Sequence, residues 1–162
     1  MKTTIIFLAA VFLFMSCNWS NDKEKEGFYD YSQTIDLYRI PIIEPYEITS
    51  SDKGSSWLMD FKGSNSPSNL GTGKVDSVGV KGQYFIVYSK RTALPAIGMI
   101  EAWFVINATT KEEKVFMTRQ EYNEYLKNQN IDETKLYDIN TVFRDFEEKR
   151  KLPPEWPEQP SK

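Results

Sequence analysis

Residues 75–89 read VDSVGVKGQYFIVYS and predict the centre of a β-sheet. Two runs of β-branched and aromatic side chains flank Lys81-Gly82, and the glycine can supply the positive φ of a tight turn. A hairpin is therefore expected, with Val75 to Val80 and Gln83 to Ser89 as its strands. Tyr84 to Tyr88 is aromatic or aliphatic at every position, which is typical of a central strand covered on both faces.

Further strand-like segments lie on both sides of this hairpin, separated by clusters of Gly, Pro, Ser and Asn. Pro41 and Pro45 restrict the earliest segments to a sheet edge or to bends, because proline cannot donate to a strand ladder. Lys62 to Gly73 has the composition of turns and no period, so we expect a long exposed loop there. The other predicted strands are Ile35 to Ile40, Ile42 to Thr49, Ser56 to Phe61, Trp103 to Ile106 and Glu113 to Met117.

Two helices are predicted towards the C-terminus. Thr118 can cap the first helix while Glu121 bonds back to the cap, and apolar residues then recur at helical spacing to about Asn128. The second helix carries an apolar face from Ile139 to Phe146 and stops at Pro153-Pro154. The predicted fold is therefore α+β, an antiparallel sheet of about six strands with both C-terminal helices packed on one face.

The N-terminus has the organisation of an export signal. Met1-Lys2 precedes an apolar run from Ile5 to Met15, and these eleven residues are too few to span a bilayer, which needs about 20. The run ends at Ser16-Cys17, which contains the only cysteine of the chain. This arrangement resembles the lipobox of bacterial lipoproteins, in which the cysteine carries lipid and the peptide is cut just before it. The resemblance implies a signal peptide over residues 1–16 and lipidation of Cys17.

A polar segment follows the cysteine. Residues 17–27 mix both charges without an apolar period and are predicted to be a lipidated tether. A flexible coil of about ten residues reaches roughly 15–20 Å, so it would hold a domain close to the lipid headgroups. Asp22 to Glu26 resembles the export signals of surface lipoproteins of the Bacteroidota. We expect a lipid anchor in the outer membrane, and the side that the domain faces, periplasm or cell surface, stays open.

Composition excludes several kinds of chemistry. The 162 residues hold 20 Lys and Arg against 23 Asp and Glu, so there is no basic footprint for nucleic acid. Histidine is absent and the only cysteine is assigned to lipid, which excludes histidine catalysis, a Cys–His pair, a disulfide and the usual zinc sites. Gly71 to Lys74 fails as a phosphate loop, because Val75 stands where Ser or Thr is required. The sequence predicts a protein that is not an enzyme and has no cofactor.

The folded part is predicted to be one domain over residues 28–151, followed by a Pro-rich tail over 152–162. Prolines stand three apart in this tail, as along the edge of a polyproline helix. Two interpretations of Trp156 remain open. It is either the centre of a docking peptide or an anchor that lays the tail against the domain.

The segment from Ser89 to Met99 is predicted to be a loop between two central strands, and its composition is unusual. Two cations are followed by three large apolar side chains. Such a loop either marks a site for a partner or folds back over the sheet. The candidate partner-binding residues are Lys90, Arg91, Leu94, Ile97, Met99 and Trp156.

The order of these segments resembles a family of small bacterial lipoproteins of unknown function. The resemblance rests on the hydrophobic strand Tyr84 to Lys90, the strand that ends at Ile106-Asn107, the short strand Val115-Phe116 and the helix start Thr118 to Tyr122. It covers about residues 78–130 and brings no catalytic residues.

Three functions stay open, in this order of preference. The first is a membrane-anchored, non-catalytic binding or accessory module, for example an immunity-like protein, that contacts another envelope protein. The second is a carbohydrate-binding component of a glycan-uptake system, and the third is a small hydrolase with a carboxylate pair such as Asp60 and Glu101. The aromatic residues that could stack on sugars, or could equally form the core, are Tyr29, Tyr31, Trp57, Tyr84, Tyr88 and Trp103.

Overall fold

Ten strands form two antiparallel sheets in a computed structural model that describes residues 27–60, 72–94 and 97–156. The predicted signal peptide, Cys17 and almost all of the predicted tether lie outside these residues. The first sheet consists, in spatial order, of β1 (Gln33–Thr34), β2 (Leu37–Ile43), β3 (Tyr46–Ser50), β4 (Leu58–Asp60) and β5 (Thr72–Lys74). The second sheet contains β6 (Ser77–Lys81), β7 (Tyr84–Leu94), β8 (Gly98–Asn107), β9 (Glu113–Phe116) and β10 (Tyr137–Asp138), in the order β10-β6-β7-β8-β9.

The predicted hairpin is confirmed. β6 and β7 pair with Val78 opposite Val87 and Val80 opposite Phe85. Its turn lies at Gly82 and Gln83, one residue later than predicted, because Lys81 still pairs with Tyr84. Gly82 has φ 57°, a conformation that glycine adopts without the steric cost of a Cβ.

The chain passes from the first sheet to the second at Val75 and Asp76. The Val75 amide donates to the Trp57 carbonyl at 2.8 Å, and the Asp76 amide donates to the Tyr88 carbonyl at 2.9 Å. One nearly continuous segment therefore belongs to both sheets, as at the corners of packed sheets. This bend explains why the structure has two sheets where the sequence predicted one.

The main core lies between the two sheets and the helix α2 (Ile139–Lys149). Side chains alternate along each strand, so every second residue of β7 and β8 points into this core. The first sheet contributes Ile40, Ile42 and Ile48, the second Phe85, Val87, Phe104 and Ile106, and the helix Ile139, Val142 and Phe146.

The other face of the second sheet is covered by the helix α1 (Arg119–Asn128). Tyr122 and Leu126 pack there against Ile86, Trp103 and Val105. The α+β class and the double coverage of the central strand are confirmed. The two helices, however, lie on opposite faces of the second sheet and not on one.

The caps of both helices follow from local sequence. Thr118 is the N-cap of α1. Its hydroxyl accepts from the Glu121 amide at 3.2 Å and donates to the Glu121 carboxylate at 3.0 Å. Asp138 caps α2 by accepting from the Thr141 amide at 3.0 Å. No helix among the described residues is both long and apolar enough to cross a membrane.

A buried arginine fixes the start of the domain. Arg39 is 1% exposed and pairs with Glu47, with Nε and Oε2 at 2.8 Å. Its Nη1 donates to the carbonyls of Phe28 and Tyr31 at 2.8 and 3.0 Å, and its guanidinium lies 3.8 Å from the centre of the Tyr31 ring. Residues 28–31, which directly follow the predicted tether, are thereby held on the first sheet.

Candidate functional site

β7 and β8 extend past their neighbours as a two-stranded arm. β6 pairs with β7 only as far as Tyr88, and β9 pairs with β8 only as far as Trp103. Beyond these points, residues 89–94 and 98–102 pair with each other, and we call these two segments, together with the turn residue Ile97, the hairpin arm.

The arm replaces most of the loop that the sequence predicted between Ser89 and Met99. A register shift between Ser89 and Thr92 lets β7 continue past the polar residues. The Lys90 amide is held by Asp76 Oδ2 at 2.7 Å. The predicted loop is therefore wrong for most of its length, because pairing with β8 overrides the local composition.

The inner face of the arm packs on the main core, and Leu94 lies there with 6% exposure. Trp156 is buried in the same core, with 3% exposure. The prediction that these two side chains are partner anchors is wrong, since neither is accessible. Leu94 folds back over the sheet, and Trp156 lays the first part of the tail against the domain, so the folded unit extends at least to residue 156.

The outer face of the arm is open to solvent. Met99 stands opposite Ala93 in the ladder, and Ile97 precedes it in the turn. Ile97 and Met99 are 54% and 52% exposed, and Lys90 and Arg91 are also exposed. The structure thus brings these four predicted site residues together on one projecting element.

A groove opens at the base of the arm, on the face of the second sheet that α1 covers. Its volume is about 1110 Å³, and its walls come from β6, β7, β8, α1 and residues 131–136. The apolar part of its surface comes from Trp103, Leu126, Ile131 and Leu136. Its polar lining consists of Ser77, Tyr88, Glu101, Arg119, Tyr122, Asn123, Lys127, Glu133, Thr134 and Lys135.

Three aromatic rings follow one another in this groove. Tyr88 and Trp103 have ring centres 5.1 Å apart, and Trp103 and Tyr122 are stacked at 6.0 Å with 20° between their planes. Trp103 and Tyr122 are buried, while Tyr88 is half-buried. Trp57, another proposed sugar-stacking residue, is buried in the main core and donates from Nε1 to Asn140 Oδ1 at 2.8 Å. Core packing accounts for Trp57, whereas Trp103 both packs against Tyr122 and lines the groove.

Two tyrosine hydroxyls of the groove stay protonated far above neutral pH. The Tyr88 hydroxyl donates to Glu101 Oε1 at 2.5 Å, and this bond raises the pKa of Tyr88 to about 12. Burial, with a smaller contribution from Glu133, raises the pKa of Tyr122 to about 12. Both side chains are therefore neutral hydrogen-bond donors under physiological conditions.

α1 presents Arg119, Asn123 and Lys127 to the groove. These residues are four apart and so share one face of the helix. Among the described residues, neither cation forms an ion pair. The sequence alone did not indicate this row as a site, because charged residues on a helix usually form a solvated face. The signal in the sequence was the spacing of four residues between these side chains, which places them on one face of the helix.

The two residues of the proposed carboxylate pair lie on strands of different sheets. Asp60 ends β4 in the first sheet, while Glu101 lies on β8 in the second. Glu101 lines the groove, where its carboxylate accepts from the Tyr88 hydroxyl. Within the described ranges, no three His, Cys, Asp or Glu side chains cluster as metal ligands.

Comparison with known proteins gave no significant match, whether to protein-family models, to curated proteins or to solved structures. The resemblance to small lipoproteins stays a prediction that rests on the lipobox and the order of segments. Among the described residues, the arm and the groove are the two surface features that we consider as candidate binding sites.

Proposed function

We propose that this protein is a lipid-anchored, non-catalytic binding module of the bacterial outer membrane, and that its hairpin arm contacts a second envelope protein. The observation that carries the proposal is the exposed end of the arm, where Ile97 and Met99 stand two residues apart with more than half of each side chain in water. Burial of such aliphatic surface by a partner is favourable, at about 25 cal/mol per Å². The partner is therefore expected to supply an apolar surface.

The open edge of β8 favours a particular kind of contact. Residues 98–102 have no strand on the side of β9 among the described residues. Met117, half exposed, directly follows the residue of β9 that pairs with Trp103. An unpaired strand edge is a template for an added strand, because its N–H and C=O groups need partners. We propose that the partner adds an extended segment at this edge, with apolar side chains against Met99.

The charge of the arm supports an acidic partner. Lys90 and Arg91 are exposed on β7, and neither forms an ion pair with another described residue. Exposed charges of this kind contribute more to the rate and specificity of association than to affinity. A segment that combines apolar and acidic side chains fits the arm best.

The predicted anchor supports a partner in the same membrane. A lipid at Cys17 and a tether that reaches roughly 15–20 Å would confine the arm to a thin layer above the headgroups. Confinement raises the effective concentration of a partner held in the same layer. The absence of histidine from the sequence, together with the assignment of Cys17 to lipid, supports a role without catalysis.

Affinity capture with paired variants tests the proposal. The parent, an Ile97→Asp/Met99→Asp double variant and Ile35→Asp would be recovered from detergent-solubilised envelopes, after thermal unfolding has verified each fold. Ile35 is 97% exposed and lies outside the arm, which makes it the matched control. We expect one protein to co-purify equally with the parent and Ile35→Asp, and to be depleted at least tenfold with the double variant.

Direct binding completes this experiment. The captured protein, once purified, should bind the parent and should bind the double variant at least tenfold more weakly. Equal capture by all three proteins would contradict the proposal. Hydrolysis of a glycan or ester substrate by the purified parent would instead support the hydrolase alternative.

A further inference from the structure

Several hydrogen-bond donors that line the groove have no side-chain partner among the described residues. They come from the sheet floor as well as from α1, and together they form a donor-rich surface. The hydroxyl of Tyr122 is one of them, and its neutral state keeps it a donor. The others are the indole of Trp103, the guanidinium of Arg119, the amide of Asn123 and the ammonium of Lys127.

Carboxylates are outnumbered by cations in the lining of the same groove, two against three. Glu101 already accepts from Tyr88, which leaves Glu133 as the other carboxylate of the lining. Lys135 is engaged over the ring of Tyr137, with Nζ 4.3 Å from the ring centre. The excess of positive charge, with both Arg119 and Lys127 outside any ion pair of the described residues, fits a ligand rich in oxygen acceptors and carrying negative charge.

The spacing of the two free cations points to an extended ligand. Arg119 and Lys127 are eight residues apart on one helix, which separates them by about 12 Å along its axis. The two cations therefore belong to different turns of the helix, which suits a ligand that carries more than one anionic group along its length. A chain with acidic groups on successive or alternate units is such a ligand, and the groove volume of about 1110 Å³ accommodates more than one ring.

We infer that this groove binds an acidic oligosaccharide, with its carboxylates at Arg119 and Lys127. Sugar hydroxyls both donate and accept, which suits the amide of Asn123, the carboxylate of Glu133 and the hydroxyl of Thr134. The apolar C–H face of a sugar ring would lie against the half-buried ring of Tyr88. The inference does not rest on the proposed role of the arm, since Lys90, Arg91, Ile97 and Met99 do not line the groove.

Titration calorimetry at low ionic strength tests this inference on the full-length protein in detergent. The probes are tetrasaccharides of galacturonic, glucuronic and mannuronic acid, a carboxyl-reduced neutral tetrasaccharide, sodium phosphate and a tetraglutamate peptide. We expect at least one acidic tetrasaccharide to bind at least tenfold more tightly than its neutral counterpart. Arg119→Gln and Lys127→Gln should each weaken that binding at least fivefold, and added salt should weaken it further.

Two control variants separate this site from general charge and from the arm. Arg144→Gln removes an exposed cation of α2 outside the groove, and the Ile97→Asp/Met99→Asp variant alters only the arm. Both should bind the tetrasaccharide as the parent does. Failure of all acidic tetrasaccharides to bind at millimolar concentration would overturn the inference, as would equal binding of the tetraglutamate peptide or equal loss in Arg144→Gln.

Discussion

Tyr88 and Glu101 connect the hairpin arm to the groove through one hydrogen bond, with 2.5 Å between the tyrosine hydroxyl and Oε1 of the carboxylate. Tyr88 is the last residue of β7 that β6 also pairs, and Glu101 lies on the part of β8 that belongs to the arm. Both residues line the groove. The bond therefore lies where sheet, arm and groove meet.

This bond predicts an alkaline transition. The Glu101 carboxylate accepts the hydrogen bond from the Tyr88 hydroxyl, and this bond raises the pKa of Tyr88 from 10.0 to about 12. Because the folded pKa is the higher one, the associated stabilisation is complete below pH 10 and is lost between pH 10 and about 12. We expect Glu101→Gln to lower the pKa of Tyr88 towards 10.0, as measured by tyrosinate absorbance.

Two reference points make this titration interpretable. Tyr88→Phe removes the transition of this tyrosine from the curve and so identifies it. Tyr122, which also titrates at about 12 but owes its pKa mainly to burial, should be unaffected by Glu101→Gln. A pKa of Tyr88 that stays near 12 in Glu101→Gln would show that the bond is not its cause.

The buried Arg39 predicts a large loss of stability on substitution. Arg39→Met leaves Glu47 and the carbonyls of Phe28 and Tyr31 without their donor, which should cost about 3–5 kcal/mol in the free energy of unfolding. Arg91→Met makes the same change at an exposed position and should stay within about 0.5 kcal/mol of the parent. Urea unfolding of both variants measures the difference, and similar costs would contradict the structural role of Arg39.

Docking of α1 on the second sheet predicts two graded effects. Thr118→Ala removes the helix cap and should cost about 1 kcal/mol. Tyr122→Ala instead removes a buried ring that stacks on Trp103, and this change should cost about 3–5 kcal/mol in the free energy of unfolding. Thermal or urea unfolding distinguishes the two values, and a Tyr122→Ala protein as stable as the parent would mean that α1 does not contribute to the core.

The lipobox predicts how the protein partitions in the cell. Cys17→Ala should move the protein from the membrane fraction to the soluble fraction and abolish labelling by a fatty-acid analogue, because a stable anchor needs its acyl chains. Ser16→Ala keeps a small residue before the cysteine and should leave both properties unchanged. Membrane partitioning of Cys17→Ala equal to that of the parent would contradict lipid anchoring.

Local signals made the hairpin and the helix caps predictable. Gly82 between two β-rich runs is sufficient to indicate a tight turn, and Thr118 with Glu121 indicates a helix start wherever the helix later packs. The division into two sheets has no such local signal. It depends on the bend at Val75-Asp76, which is held by bonds to Trp57 and Tyr88 from distant strands.

The candidate site was only partly predictable for a similar reason. The cations and apolar residues of the arm were recognised from composition, but the burial of Leu94 and Trp156 depends on contacts made across the core. The groove could not be predicted, because it forms where α1 and residues 131–136 meet the strands, and sequence spacing does not give that distance. The burial of these two side chains and the formation of the groove both depend on tertiary contacts.

Site-specific photo-crosslinking in intact cells tests the role of the arm most directly. A photoreactive amino acid would replace Met99 in the otherwise unchanged protein, and Ile35, which is more exposed than Met99 and lies outside the arm, would be replaced in the control. We expect light to produce a single adduct of defined mass from position 99 and none of that mass from position 35. No adduct at position 99, or the same adducts from both positions, would contradict a partner-binding arm.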